Sequence, residues 1–313
     1  MKKLLLPILW LLFSLSISSA AVATPVFFAN PSCSNNGQPI ACNINMHDFG
    51  GPKMTGTTNI INIWYGYTDL SNSTVTTLGS FFGNLTGSDY LNIGSLYGVS
   101  TALNFHGNFL QDTSVYGTYL SDAELDAITK DASTLTGIPD NNNTIVFIYT
   151  APGIGQQEDS VACGFHSDVL DGASDLKYAW IGAKYANPNS GCGAGTFTQN
   201  TNSTASHELL EALTDPLVGQ STVIGPPLGW YDGGGTNQGE VGDMCNQKSF
   251  DTTLNGSSYR VQSIFVNDPS YAAGGFCASG NTFPAVTSVP EPAPLALLAL
   301  GLAAIGFSRR KKA

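Results

Sequence analysis

The stretch Ser206-His207-Glu208-Leu209-Leu210-Glu211-Ala212-Leu213-Thr214-Asp215-Pro216 gathers the residues best suited to chemistry. His207 and Glu211 stand four apart, and residues at i and i+4 are neighbours on one helical face. An imidazole and a carboxylate so placed can reach one cation together. Zinc takes both ligand types, and catalytic zinc sites use three protein ligands plus a water. Glu208, beside the histidine, then stands where a general base takes a proton from that water. The third ligand must come from elsewhere in the chain.

Its best source is Gly239-Glu240-Val241-Gly242-Asp243-Met244-Cys245, where glycines let a carboxylate swing inward. Glu240 is the first choice, Asp243 the second and Asp215 the third. His166, in Cys163-Gly164-Phe165-His166, is a further candidate that a disulfide at Cys163 would hold in place. The helix resembles the zinc-peptidase pattern H-E-x-x-H with its second histidine replaced by Glu211. Calcium, held by Asp232, Glu240 and Asp243, is the lesser alternative, because no D-x-D-x-D-G loop is present. The competing reading is structural, with His207 packing or capping and both glutamates solvated. No G-x-S-x-G elbow, P-loop or G-x-G-x-x-G after a strand offers another reaction.

The elements that must position these residues follow from periodicity. Asn59 to Gly66 is β-branched and aromatic and reads as the first strand. Ser73 to Leu85 places Val75, Leu78, Phe81, Phe82 and Leu85 at helical spacing. Ser121 with Glu124 forms a capping box that opens a helix to Leu135. Thr144 to Tyr149 is a continuous apolar run suited to a central strand, and Tyr178 to Ala183 is a further strand. A polar loop from Asn187 to Ser203 leads into the helix of His207, which Pro216 ends. On that helix Ala205, Leu209, Ala212 and Leu213 make the buried face, and His207, Leu210, Glu211 and Thr214 a stripe toward a cleft. A strand pair, a polar loop and then this helix is the order in which zinc peptidases build a site. The expected fold is α/β or α+β, a single zincin-like domain over residues 59–288 with a mixed sheet, following a loosely structured leader at 24–58.

Both ends carry addresses. Met1-Lys2-Lys3, an apolar run from Leu4 to Ile17 and Ala21-Val22-Ala23 read as a signal peptide cut after Ala23. Pro290-Glu291-Pro292 precedes apolar residues from Ala293 to Phe307 and the basic Arg309-Arg310-Lys311-Lys312. As a helix that run spans about 22 Å, a short transmembrane segment against a roughly 30 Å hydrocarbon core. The basic end is expected to stay cytoplasmic. Between the two ends lie six bases and 22 acids, a body charge of −16 within a chain of net charge −11. So acidic a surface excludes nucleic acid and anionic membrane as partners. Six cysteines in an exported body favour disulfides. Chain order suggests Cys33–Cys42, Cys163–Cys192 and Cys245–Cys277 among the 15 pairings that six allow.

The tail resembles the PEP-CTERM sorting signal of Gram-negative bacteria. That resemblance implies an inner-membrane intermediate that exosortase-type machinery cleaves, after signal peptidase, for release or anchoring at the cell surface or in the extracellular matrix. The body has its own ordered string: Asn62-Ile63-Trp64-Tyr65-Gly66, Cys163-Gly164-Phe165-His166, Tyr178-Ala179-Trp180-Ile181-Gly182, Ser206 to Val218 and Glu240 to Cys245. Over about Asn59 to Cys277 it resembles the phosphate-induced protein 1, or EXORDIUM-like, family. The resemblance implies an extracellular protein and marks His207, Glu208, Glu211, Glu240 and Asp243; the family has no established biochemical activity. Two functions follow as expectations. One is a zinc metallopeptidase-like site acting on a peptide. The other is a non-catalytic surface or matrix protein that binds glycans or a protein partner.

Overall fold

The structure is a computed structural model that describes residues 46–138, 141–157, 162–183, 192–220, 227–232, 239–246, 248–267 and 275–278. Two short strands, β1 (Ser34–Asn35) and β2 (Gln38–Pro39), are also described. The signal segment, Cys33, Cys42 and the tail from Val289 lie outside the described residues. There follow β3 (Met46–Asp48), β4 (Thr58–Tyr65), α1 (Ser73–Gly79), α2 (Phe81–Leu85), α3 (Asp89–Asn92), β5 (Leu103–Gln111) and β6 (Tyr119–Leu120). Next come α4 (Asp122–Thr136), β7 (Thr144–Thr150), β8 (Gly155–Gln156), β9 (Gly164–Asp171), β10 (Ser174–Ile181) and α5 (Phe197–Thr214). The last are β11 (Trp230–Asp232), β12 (Ser249–Leu254), β13 (Ser257–Gln262), β14 (Ile264–Asn267) and β15 (Gly275–Ala278).

The β-branched and aromatic runs form a mixed five-stranded sheet in the order β5-β4-β7-β10-β9. Four strands are parallel, and β9 closes one edge antiparallel to β10. The sheet is buried on both faces, which is why its central strands read as continuous apolar runs. Ile60, Trp64, Phe147 and Tyr149 point to one face, where Leu209 and Leu213 of α5 and Phe81 and Phe82 of α2 cover them. Ile61, Ile63, Val146, Ile148 and Trp180 point to the other, against Leu125 and Ile128 of α4. Trp64 stacks on Tyr149 at 4.4 Å between ring centroids. Each such fully buried side chain contributes about 1.5–3 kcal/mol.

Several local expectations are met. Ser121 and Glu124 form the capping box of α4, and Gly137 in the left-handed region closes it. The disulfides Cys163–Cys192 and Cys245–Cys277 are both present. Two expectations differ. The helix expected from Ser73 to Leu85 divides into α1 and α2 at Ser80. There the Asn108 side chain donates to the Gly79 carbonyl, and a Cβ on Gly79 would lie 2.6 Å from Asn108 Nδ2. Helix α5 starts at Phe197, inside the segment expected as loop, because Thr196 and Gln199 make a second capping box.

The end of the leader segment packs into the body. Strand β3 pairs with β11, and Met54 is buried and donates its amide to the Leu213 carbonyl. Among the described residues no helix is long and apolar enough to cross a membrane.

Candidate metal centre

Helix α5 is buried along most of its length, so its polar residues face protein, not solvent. Leu209, Ala212 and Leu213 hold it in the core as the wheel suggests, and Leu210 and Thr214 are buried there too. His207, Glu208 and Glu211 emerge toward the antiparallel edge of the sheet. Strand β9 brings His166, which sits opposite Ala179 in the register with β10. The turn after β11 brings Glu240 and Asp243.

Glu211 is the centre of the group. Its Oε1 accepts from the backbone amides of Gly242 and Asp243, each at 3.0 Å. Its Oε2 lies 2.9 Å from His207 Nε2 and 3.8 Å from His166 Nδ1. Glu208 faces the same two rings, at 3.4 Å from His166 Nδ1 and 3.9 Å from His207 Nε2. Glu240 Oε1 is 3.4 Å from His166 Nε2, and Asp243 Oδ1 is 3.5 Å from His207 Nε2. The backbone amide of Glu240 donates to Asp243 Oδ2, so the two acids share one tight turn. Two groups of three have ligand atoms within 4.8 Å of one another: His207, Glu208 and Glu211, and His166, Glu211 and Glu240.

The sequence-derived residues thus meet, with one regrouping. Glu240 stands against His166, and Asp243 stands against His207. Asp215 closes α5 and turns its backbone carbonyl to His166 Nε2 at 3.2 Å, while its Oδ1 accepts from the Gly229 amide. Asp232 is buried in β11 and belongs to neither group.

Gln262, at the end of β13, carries no motif and was not among the expected residues. Its side-chain amide nitrogen donates to the Gly242 carbonyl at 2.8 Å and lies 2.6 Å from His207 Nδ1. It packs against the Nδ1 side of the ring and fixes the ring's position from behind. Ser206 Oγ receives the Gln262 backbone amide and ties β13 to α5.

The electrostatics are those of an anionic cluster short of positive charge. Burial alone would lower His166, yet Glu240, Glu208 and Glu211 outweigh it and raise the ring to about 10. Burial likewise opposes charge on His207, and Glu211, Glu208 and Asp243 raise it well above its ordinary value. Burial pushes Glu211 up to about 7 and Glu240 well above the carboxylate range. Burial also pushes Asp243 upward, but the hydrogen bond and charge of His207 prevail and hold it below its ordinary value. Lys53, Lys177 and Arg260 form their ion pairs elsewhere, with Asp48, Asp175 and Asp251.

A cavity of about 440 Å3 opens onto His207, Glu208 and Asp243. The Cys163–Cys192 disulfide, Asn200, Ser203, Arg260 and Gln262 also line it. A polar cavity ending on the His207 imidazole and the Glu208 and Asp243 carboxylates suits a cation and a polar substrate.

Comparison with known proteins identifies the tail. The PEP-CTERM protein-sorting motif matches residues 288–311. Neither the curated proteins nor the solved structures provide a match to the chain. The chain therefore carries a PEP-CTERM sorting signal, which implies export, transient membrane anchoring and recognition by exosortase-type machinery for the cell surface.

Proposed function

We propose that the exported body is a metal-dependent hydrolase of the zinc-peptidase kind, sorted to the surface of a Gram-negative cell. One observation carries the reading: two imidazoles and three glutamates from three separate elements converge in a buried spot that opens to a polar cavity. Buried carboxylates without cationic partners are costly, and coordination of a metal is a usual way to satisfy them. The mix of nitrogen and oxygen donors fits zinc better than calcium. The zincin-like description of the fold draws support from the mixed sheet, its antiparallel edge strand and the helix that follows. The resemblance of the body to the EXORDIUM-like proteins rests on its ordered motifs alone.

In this reading His207 Nε2 and Glu211 Oε2 are the first two ligands. His166 supplies a third, with Glu240 and Asp243 beside the two rings. When bound, zinc supplies Lewis-acid activation of water and of a scissile carbonyl. Glu208, facing both rings, takes a proton from the attacking water and returns it to the leaving nitrogen. Gln262 and the Gly242 and Asp243 amides hold His207 and Glu211 in position. The 440 Å3 cavity binds the peptide beside them.

The test is metal content. Chain purified without chelator should contain zinc, and zinc added to stripped chain should raise its melting temperature. Near-zero zinc together with an unchanged melting temperature would overturn the reading and leave α5 structural. Sorting is tested separately: deletion of Pro290 to Ala313 should change surface retention, and unchanged localisation would count against the tail's role.

A further inference from the structure

We propose that the centre holds two divalent cations with Glu211 between them. The inference rests on the metal-centre reading and extends it from one ion to two.

The donors divide into two groups of three that have only Glu211 in common. On one side is His207, with Asp243 Oδ1 3.5 Å from its ring nitrogen and Glu208 beside it as the proposed base. On the other are His166, which in the two-ion centre passes from the first ion to the second, and Glu240. Both ring nitrogens of His166 face acids: Nδ1 faces Glu208 and Glu211, and Nε2 faces Glu240 beside its 3.2 Å contact with the Asp215 carbonyl. A single ion at His207 and Glu211 leaves the Nε2 side of His166 without one.

Glu240 is the independent sign of a second ligand. The residue is 7% exposed, and its Oε1 is buried without a hydrogen-bond partner while aimed at His166 Nε2. A buried carboxylate oxygen left so is expensive unless a cation or proton reaches it. Charge points the same way. Once metal displaces the imidazole protons, Glu208, Glu211, Glu240 and Asp243 bring four negative charges when ionised and the two rings bring none. One divalent ion leaves two charges uncompensated in a buried site; two ions balance all four.

Geometry allows the pair. Two-metal hydrolytic sites hold their ions roughly 3.5–4 Å apart, commonly bridged by a carboxylate. Glu211 Oε2 already lies between the two imidazoles, and its other oxygen is fixed by backbone amides. Imidazole and carboxylate donors suit zinc or manganese.

The full-length chain, purified in detergent and stripped of metal, is titrated with zinc chloride and separately with manganese chloride. Calorimetry and metal analysis after desalting should both give two equivalents per chain. The Mn2+-loaded chain should show an exchange-coupled paramagnetic signal. Glu240→Gln, which keeps the shape of the side chain, should retain one equivalent and lose the coupling. One equivalent in the parent chain with an uncoupled manganese signal overturns the second site but leaves the single-ion reading standing. No binding in the parent overturns both. The parent count decides the matter even if Glu240→Gln misfolds.

Discussion

Gly242 donates its backbone N–H to Glu211 Oε1 at 3.0 Å, and this contact explains why a glycine stands there. Its backbone is ordinary for any residue, with φ at −81°. What it lacks is room. A Cβ would lie 2.7 Å from Glu211 Oε1 and 2.9 Å from the His207 ring. Gly242→Ala must therefore push apart the imidazole and the carboxylate proposed to share an ion. The overpacking should cost about 1–3 kcal/mol of stability. Zinc affinity should fall at least about tenfold, as it does when outer supports of a metal site are lost. Calorimetric zinc titration checks this, and an unaltered affinity would remove Glu211 from the centre.

Glu208 is the residue whose proposed role is chemical, not coordinating. Glu208→Gln keeps size and shape but cannot accept the proton. Hydrolysis of a peptide substrate should fall by roughly 10²–10⁴-fold, the usual contribution of a general base. Zinc should remain bound, so activity and metal content separate. If zinc is lost along with activity, Glu208 is a ligand and not the base.

The site was legible to different depths at different residues. His207, Glu208 and Glu211 were readable because helical spacing is local, and the capping box of α4 was readable for the same reason. Thr196 and Gln199 form an equally local box that starts α5. It was obscured because Asn200, Thr201, Asn202 and Ser203 look like loop composition, whereas here they are buried in a helix. His166 was legible as a candidate beside Cys163, but its meeting with Glu240, like the place of Gln262, could be found only from the fold. His166 comes from an edge strand of the sheet and Gln262 from a hairpin packed on α5, 55 residues after His207. Spacing along the chain holds no information about such meetings. The pairing of Glu240 with His166 is of this kind, since the turn after β11 alone decides which ring each acid faces.

Gln262 gives a direct test of support from behind the ring. The Gln262 amide nitrogen, held by the Gly242 carbonyl, closes off the Nδ1 side of the His207 ring, and the Nε2 edge is the one turned to Glu211 and Asp243. Gln262→Ala should leave secondary structure intact by circular dichroism and weaken zinc binding by about 10–100-fold. Full affinity in this variant would make the contact mere packing.

Asp168 and Asp175 give a prediction away from the metal centre. They are diagonal neighbours on β9 and β10, and the Gln220 side chain donates to both. Burial, with the neighbouring Asp175 charge adding to it, pushes Asp168 up to about 6 against the opposing pull of Gln220 and Lys177. An unfolded aspartate titrates near 3.9. Between about pH 4 and 6 the folded chain therefore holds more proton than the unfolded one, and stability falls as pH rises through that window. Above it the loss is complete and constant; below it there is none. Asp168→Asn removes the charge and keeps the hydrogen-bonding shape. The variant should melt roughly 1–3 °C above the parent at pH 7.5, a modest shift because the group is partly screened by solvent. The difference should vanish by pH 4. A parent that melts as high as the variant at both pH values would show that the two carboxylates do not strain the edge of the sheet.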